Sequence, residues 1–559
     1  MIDRSEAVAP AASQGATAPG SIPAPSRLDR AIWAVADLLR RHWLLGLLLA
    51  AGLVLRLLPQ IGYEPALLYI DSMKYLFGTH LGTQFNQSDL GSYDPIGYSL
   101  LVLHPILIFE NLSFVAVMQH LCGLAMAVAL YALMVRRGIT RWLTALAVAP
   151  VLLDAYQLNA EQTIMPDVLF ETLVVAGIVL LLWQPRPTLA LVILGGLALG
   201  ASAPVRQVGE ALIVPGLVYV LAAARGWRTR LLHGTVMTFC FALPIVGYMT
   251  YSAVVLHYGF ELSNMGDAYL YGRTAHAADC ATLKVPAIEQ QLCPDPALAA
   301  TLGVDGLVNS MDSPRSTYHP VDVKVGQLQV QMAYSVLKQQ PMRVIGDIAK
   351  DSVKIFALTR NGEEGDTPIS RWQFQTSYPY YPYYRSATAH YGRNSASRVF
   401  AATGGGGRAR VFRPAATLLR NYQLHGGYTP GPVYLLALLA GIAGIFTYRR
   451  RRDSGLALAS LLITGSAFAV LLGADLYEFT WRYQLPALVT LPIAAAFGAT
   501  AVARHIRARR RSEVAAAAAE DPIEELAVAA SEQASERAKG APAPTGLRSC
   551  KLQHETSVS

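Results

Sequence analysis

The stretch "PIGYSLLVLHPILIF", Pro95 to Phe109, decides how this chain folds. It is apolar enough to suggest a membrane helix, yet it contains two prolines, a glycine and His104. Its neighbours settle the reading. Apolar runs at about 43–60, 114–135, 141–156, 167–184, 188–204, 208–224, 231–256, 430–448, 456–473 and 484–503 are separated by basic clusters at Arg40-Arg41, Arg136-Arg137, Arg225 to Arg230, Arg449 to Arg452 and Arg504 to Arg511. Basic clusters beside apolar runs mark cytoplasmic loops. With the N-terminus inside, ten crossings place all five clusters on the cytoplasmic face, provided that Pro95 to Phe109 does not cross. Counted as a span, it would put every cluster from Arg136 onward on the wrong side. It therefore reads as a helix lying in the interface.

Composition agrees with a chain built in lipid. Of 559 residues, 53% are hydrophobic and 15% charged, against about a quarter charged in soluble domains. Mean hydropathy is +0.33. The runs are Leu/Ala/Val-rich and continuous, unlike the alternating strands of a membrane barrel. The expected fold is an all-α polytopic membrane protein. The net charge of +8 follows from cytoplasmic loop arginines rather than a nucleic-acid surface. P-loop, G-x-G-x-x-G after a strand, H-E-x-x-H and paired C-x-x-C motifs are absent, which leaves no obvious seat for cytoplasmic ATP or a nicotinamide reaction.

This topology divides the chain into a transmembrane module at 40–256, an extracytoplasmic segment at 257–429 and C-terminal spans at 430–503. The ends, 1–26 and 512–559, lack a lasting apolar face and read as unfolded tails. The first span serves as an uncleaved anchor. In the external segment, "GGGG" at 404–407 reads as a flexible connector. Cys280 and Cys293 lie in the same segment, where an oxidising exterior favours a disulfide. Cys122 and Cys240 fall in spans as small apolar packers.

Three external loops gather ionisable residues at one membrane surface. The first, about 61–113, carries "YIDSMKYL", Tyr69 to Leu76, in which Asp71, Lys74 and Tyr75 share one face of a helix. It also holds Asp94 and His104. The second, "QLNAEQTIMPD", Gln157 to Asp167, contributes Glu161 and Asp167, and Arg206 opens a later span. The last, "GADLYEFTWRYQLP", adds Asp475, Glu478 and Arg482. Plain structural readings exist for several: Lys74 as a snorkelling side chain, Asp167 as a favourable helix N-terminal acid, Glu161, Asp475 and Glu478 as solvated loop residues. Arg206 and Arg482 run against the positive-inside bias, which an anionic partner such as a phosphate would explain. Phosphate-binding arginines beside carboxylates suit group transfer from a lipid-phosphate donor. A carboxylate acts as general base on an acceptor hydroxyl, and cations or a divalent metal (Mg or Mn) stabilise the leaving phosphate.

"YIDSMKYL" resembles the acid-x-x-base-Tyr motif in the first external loop of membrane glycosyltransferases of the GT-C fold, which include protein O-mannosyltransferases, lipid A aminoarabinose transferases and actinobacterial arabinofuranosyltransferases. "YDPIGYSLLVLHP" is similar to their interfacial helix, "MPDVLFETL" to the opening of the fourth span and "PVRQVGEALIVP" to the entrance of the sixth. The resemblance covers roughly 40–260. It implies a polyprenyl-phosphate sugar donor, a cell-envelope glycan, lipid or protein as acceptor, and an extracytoplasmic site in a bacterial inner membrane. Asp71 would be the catalytic base, Lys74 a phosphate contact, with Arg206, Arg482 and Tyr75 also on the donor phosphate. Asp167 or Glu161 would support the acceptor or a metal, and Asp94, His104, Asp475 and Glu478 the substrate. The acidic pair usual in the first loop is a single acid here, because Ser72 follows Asp71. That departure favours a metal-independent reaction. The "SYPYYPYYR" strip, Ser377 to Arg385, reads either as a sugar-stacking surface or as a seal on the segment's own core. A transporter of lipid-linked sugars would show internal repeats and broken midplane helices, and a non-catalytic envelope scaffold would not need Asp71.

Overall fold

The structure is a computed structural model that describes residues 33, 37, 40–69, 71–77, 94–318, 324–378, 409–448 and 455–540. The N-terminal tail, the Arg449 to Arg452 cluster, the "GGGG" connector, Cys550 and the "SYPYYPYYR" strip beyond Tyr378 lie outside the described residues. So do the side chains of Met73, Lys74 and Phe77.

The fold is all-α, 74% helical. Its described strands form a short antiparallel ribbon pairing Tyr63–Glu64 (β1) with Arg410–Val411 (β2). Chain order begins with α1 (Trp43–Gly62) and α2 (Ser72–Phe77). A π-helical turn (Ser99–Leu103) then leads into α3 (His104–Leu107) within the interfacial stretch. Next come α4 (Ser113–Arg136), α5 (Arg141–Leu153), α6 (Ala155–Gln162), α7 (Asp167–Leu182), α8 (Leu189–Ala201), α9 (Ile213–Ala223) and α10 (Trp227–Tyr251). The intervening segment contributes α11 (Gly266–Ala277), α12 (Pro296–Asn309), α13 (Val325–Gln339), α14 (Pro341–Lys354) and α15 (Arg413–Leu424), and the chain ends with α16 (Gly431–Ile445), α17 (Gly455–Tyr477) and α18 (Pro486–Lys539).

Among the described residues, five helices are long and apolar enough to cross a bilayer: α1, α4, α10 with its π-helical extension to Leu256, α17 and the first 30 residues of α18. The chain is a helical membrane protein by this criterion. The expected span at 141–156 is instead two helices, α5 and α6, bent by 49°. Pro150 removes a backbone donor near the end of α5. Asp154 is extended there, and its carboxylate accepts from the Tyr156 amide at 2.9 Å, starting the new helix. The residues expected to form the second loop thus lie mostly in α6, which is buried throughout. The four other expected spans are apolar helices of 16 (α7), 13 (α8), 11 (α9) and 15 (α16) residues. Each is shorter than the roughly 20 residues that cross a hydrocarbon core unaided.

Small residues set the closest helix contacts, as is usual where lipid removes the hydrophobic drive between helices. A Cβ on Gly498 of α18 would lie 2.0 Å from the Ala440 carbonyl of α16. α18 continues to Lys539, through more than half of the 512–559 stretch expected to be unfolded. Its Ala- and Glu-rich sequence has high intrinsic helix propensity, and its described side chains beyond Arg507 are exposed.

The segment after His257 has an apolar cluster of its own, including Tyr271, Leu292, Leu307, Leu328, Met332 and Val336. Cys280 and Cys293 are disulfide-bonded at its edge, while Cys122 and Cys240 are free.

Candidate functional site

The first loop reaches the site along α6. Leu67 pairs with Thr163 in a parallel bridge, its amide donating to Gln162 O and its carbonyl accepting from the Ile164 amide, both at 2.9 Å. Two residues on, the Tyr69 amide donates to the Ser72 hydroxyl at 2.7 Å, and the Ser72 amide donates back to Tyr69 O at 3.0 Å. This closed turn presents Asp71. It also explains why Ser rather than a second acid follows: Ser72 is fully buried, and a carboxylate there would be desolvated without a cation.

Asp71 remains 23% exposed at its side chain and accepts a hydrogen bond from Arg482 Nη1 at 2.9 Å. The other side of that guanidinium approaches Asp167 Oδ1, with Nε at 3.4 Å. Asp167 Oδ1 is also paired with Arg206 Nη1. Asp71, Arg482, Asp167 and Arg206 therefore alternate in sign through residues drawn from four parts of the chain. Aromatic rings hold the guanidiniums in place. Tyr483 lies 4.5 Å from Arg206 and 4.8 Å from Arg482, and Trp372 lies 5.1 Å from Arg482. Trp372 in turn packs on Tyr69 at 3.9 Å between ring centroids. Such cation–π contacts fix the fork while leaving donors for a ligand.

These groups border a cavity of about 460 Å³, large enough for a sugar phosphate. Of the residues expected from sequence, Asp71, Tyr75, Asp94, Arg206, Glu478 and Arg482 line it. Asp167 stands one layer behind, holding both arginines. Three expected residues are placed elsewhere. Glu161 is sealed in the helix core, accepting from Arg56 Nη2 at 2.7 Å and lying 2.8 Å from His120 Nδ1. Asp475 is buried and accepts from Gln484 Nε2 at 3.0 Å. His104 is half-buried and outside the cavity lining. The residues that sequence reasoning missed are Tyr69, Arg371, Trp372 and Tyr483, all lining the cavity. Tyr69 and Tyr483 adjoin quoted motifs, whereas Arg371 and Trp372 come from "ISRWQF" in the external segment, where no spacing marks them.

Burial raises the Glu478 carboxyl well above the usual carboxylate range, with Asp305 adding to the shift and Arg482 opposing it. Among the described residues its Oε2 has no hydrogen-bond partner. Burial likewise raises the phenols of Tyr69 and Tyr483, which stay neutral donors. Among the described residues no three or more His, Cys, Asp or Glu side chains gather as a metal site. Asp71 and Asp167 face guanidiniums, so these residues do not form a divalent-cation cage. The arrangement can receive an anion between arginines, with a carboxylate at its edge. Comparisons of this chain with protein-family models, with curated proteins and with solved structures gave no match.

Proposed function

We propose that this chain is an integral-membrane glycosyltransferase, moving a sugar from a polyprenyl-phosphate donor to a cell-envelope acceptor. The observation that carries this reading is the meeting of Asp71 with Arg482 and Arg206 on one cavity. In the proposed reaction the donor phosphate sits against Arg206 and Arg482, with Lys74 as the further cation implied by the resemblance. An acceptor hydroxyl lies against Asp71. Its oxygen attacks the anomeric carbon as its proton passes to the carboxylate, and the bond from that carbon to the phosphate oxygen breaks. The electron pair leaves on the polyprenyl phosphate, where the guanidiniums stabilise the charge. Glu478, on the cavity wall, contacts the sugar or acceptor.

The topology that suits this chemistry has ten crossings, counting the shorter apolar helices, with the cavity on the extracytoplasmic face of a bacterial inner membrane. Purified protein supplied with a series of polyprenyl-phosphate sugars and a glycan acceptor should release polyprenyl phosphate, and Asp71→Asn should not. Movement of intact donor across vesicles, with no release, would replace the reading with a transporter.

A further inference from the structure

Helix α14, Pro341–Lys354, packs Val344 and Ile348 on the segment's apolar cluster but leaves its other apolar side chains exposed. A helix on a water-exposed surface turns its apolar stripe inward and its charges outward. In α14 Asp347, Asp351 and Lys354 point in, whereas Arg343 and Lys350 are exposed. Asp347 and Asp351 accept from Arg273 Nη1 of α11 at 2.8 and 2.7 Å, and Lys354 pairs with Asp351 at 2.9 Å and Asp366 at 2.8 Å. Their polar needs are met within the protein. The opposite face carries Met342, Ile345, Gly346, Ala349 and Val353 at helical spacing, all exposed. Met342 is 74%, Ile345 56% and Val353 61% accessible, followed by Leu358 at 69%. Arg343 and Lys350 flank the stripe.

The neighbouring α13 has the ordinary arrangement. Leu328, Met332 and Val336 are buried, while Gln331 and Lys338 are exposed. The exposed apolar stripe therefore distinguishes α14 from its neighbour α13.

Two anchors fix the depth at which α14 sits. Arg273, which holds its acidic face, also donates through Nη2 to the Asp475 carbonyl at 2.7 Å, in the last turn of membrane-spanning α17. Just beyond α14, the Ala357 carbonyl accepts from the Gly431 amide at 3.2 Å, where apolar α16 begins. A Cβ at Gly431 would lie 2.2 Å from that carbonyl, so the contact is close and fixed. Both anchors are ends of apolar helices, and one of them, α17, is long and apolar enough to cross a bilayer.

We infer that α14 is an interfacial helix whose Met342–Ile345–Ala349–Val353 stripe is immersed in lipid, making part of the 257–429 segment a membrane-embedded element. An apolar stripe with basic flanks is the ordinary form of such helices, and here the protein has sealed the polar face. The inference does not depend on the proposed transferase activity.

The test uses the full chain in phosphatidylcholine vesicles, with Cys122, Cys240 and Cys550 replaced by serine and the Cys280–Cys293 disulfide retained. Spin labels are placed at Met342→Cys or Ile345→Cys, with Gln331→Cys as the water-facing reference. The expected result is an oxygen-to-nickel accessibility ratio several-fold higher on the stripe than at Gln331→Cys. A ratio equal to the reference would place the stripe in water and overturn the inference. Protection from both reagents would also overturn it, by showing that a second copy or another part of the chain covers the helix.

Discussion

Two of the charged clusters inside this protein differ in whether a ligand can reach them. Around the cavity, Asp71, Arg206 and Arg482 alternate with Asp167 and border open volume. In the helix core, Arg56 and Glu161 are fully sealed, with His120 between α4 and α6. An ionisable residue at membrane depth is a functional hypothesis by default. The sealed cluster has a structural explanation. Arg56 donates to the carbonyls of Leu152 at 2.9 Å and Val151 at 3.0 Å. These belong to the last turn of α5, where carbonyls lose their helical partners. Arg56 satisfies the broken end of a bent helix, Glu161 neutralises Arg56, and Gly123 leaves room, since a Cβ there would fall 2.0 Å from Glu161 Oε1. Charge alone does not identify a site. Access does.

The sharpest way to break this contrast is Asp71→Asn. Transfer should fall by about 10²–10⁴-fold, the usual contribution of a general base, with yield and melting temperature unchanged. Retained release of polyprenyl phosphate would remove Asp71 as the base. The sealed cluster should respond in the opposite manner. Arg56→Met leaves Glu161 as an uncompensated buried charge, a loss of about 3–5 kcal/mol, seen as aggregation or a much lower melting temperature in detergent. A stable Arg56→Met protein with impaired transfer would make the sealed cluster part of the chemistry.

Removing the disulfide with Cys280→Ser and Cys293→Ser should act away from both clusters. The two cysteines are 13 residues apart, and a loop of that length contributes about 3 kcal/mol, confined to the external segment. Protease resistance there should drop while transfer persists; lost transfer would mean that this edge of the segment shapes the cavity.

The smallest effect concerns Glu478, through pH. Its carboxyl is raised in the folded state, so the folded protein keeps a proton that the unfolded chain loses above about pH 4.3. Below that pH both states are protonated and burial carries no ionisation penalty. Above it, stability declines with rising pH until the folded group itself ionises. Glu478→Gln lacks this term, so its melting temperature should gain on the parent's between pH 4 and neutrality. Parallel melting curves across that range would show Glu478 to be ionised in the folded protein.

Much of the first loop was legible in the sequence, because the Asp71 turn is local and its charges interrupt an apolar run. Arg206 and Arg482 stood out by violating the charge asymmetry of membrane loops. Arg371 and Trp372 did not, since nothing in the spacing of "ISRWQF" distinguishes a cavity wall from a surface loop. Glu161 was legible as a charge at membrane depth but not as one committed to Arg56, because that pairing joins residues 105 positions apart.

Composition and the periodic placement of apolar runs were sufficient to determine an all-α membrane chain, because burying helices in lipid requires continuous apolar length. Basic clusters supplied an expected topology, but the break at Pro150 and Asp154 emerged only in the structure, because the run 141–156 is apolar enough to read as one span. Only tertiary structure decided which charges share a cavity and which neutralise one another in the core. It alone turned the acidic face of α14 inward against Arg273. Those outcomes depend on contacts between distant segments, and hydropathy along the chain carries no record of which partner a charge will meet.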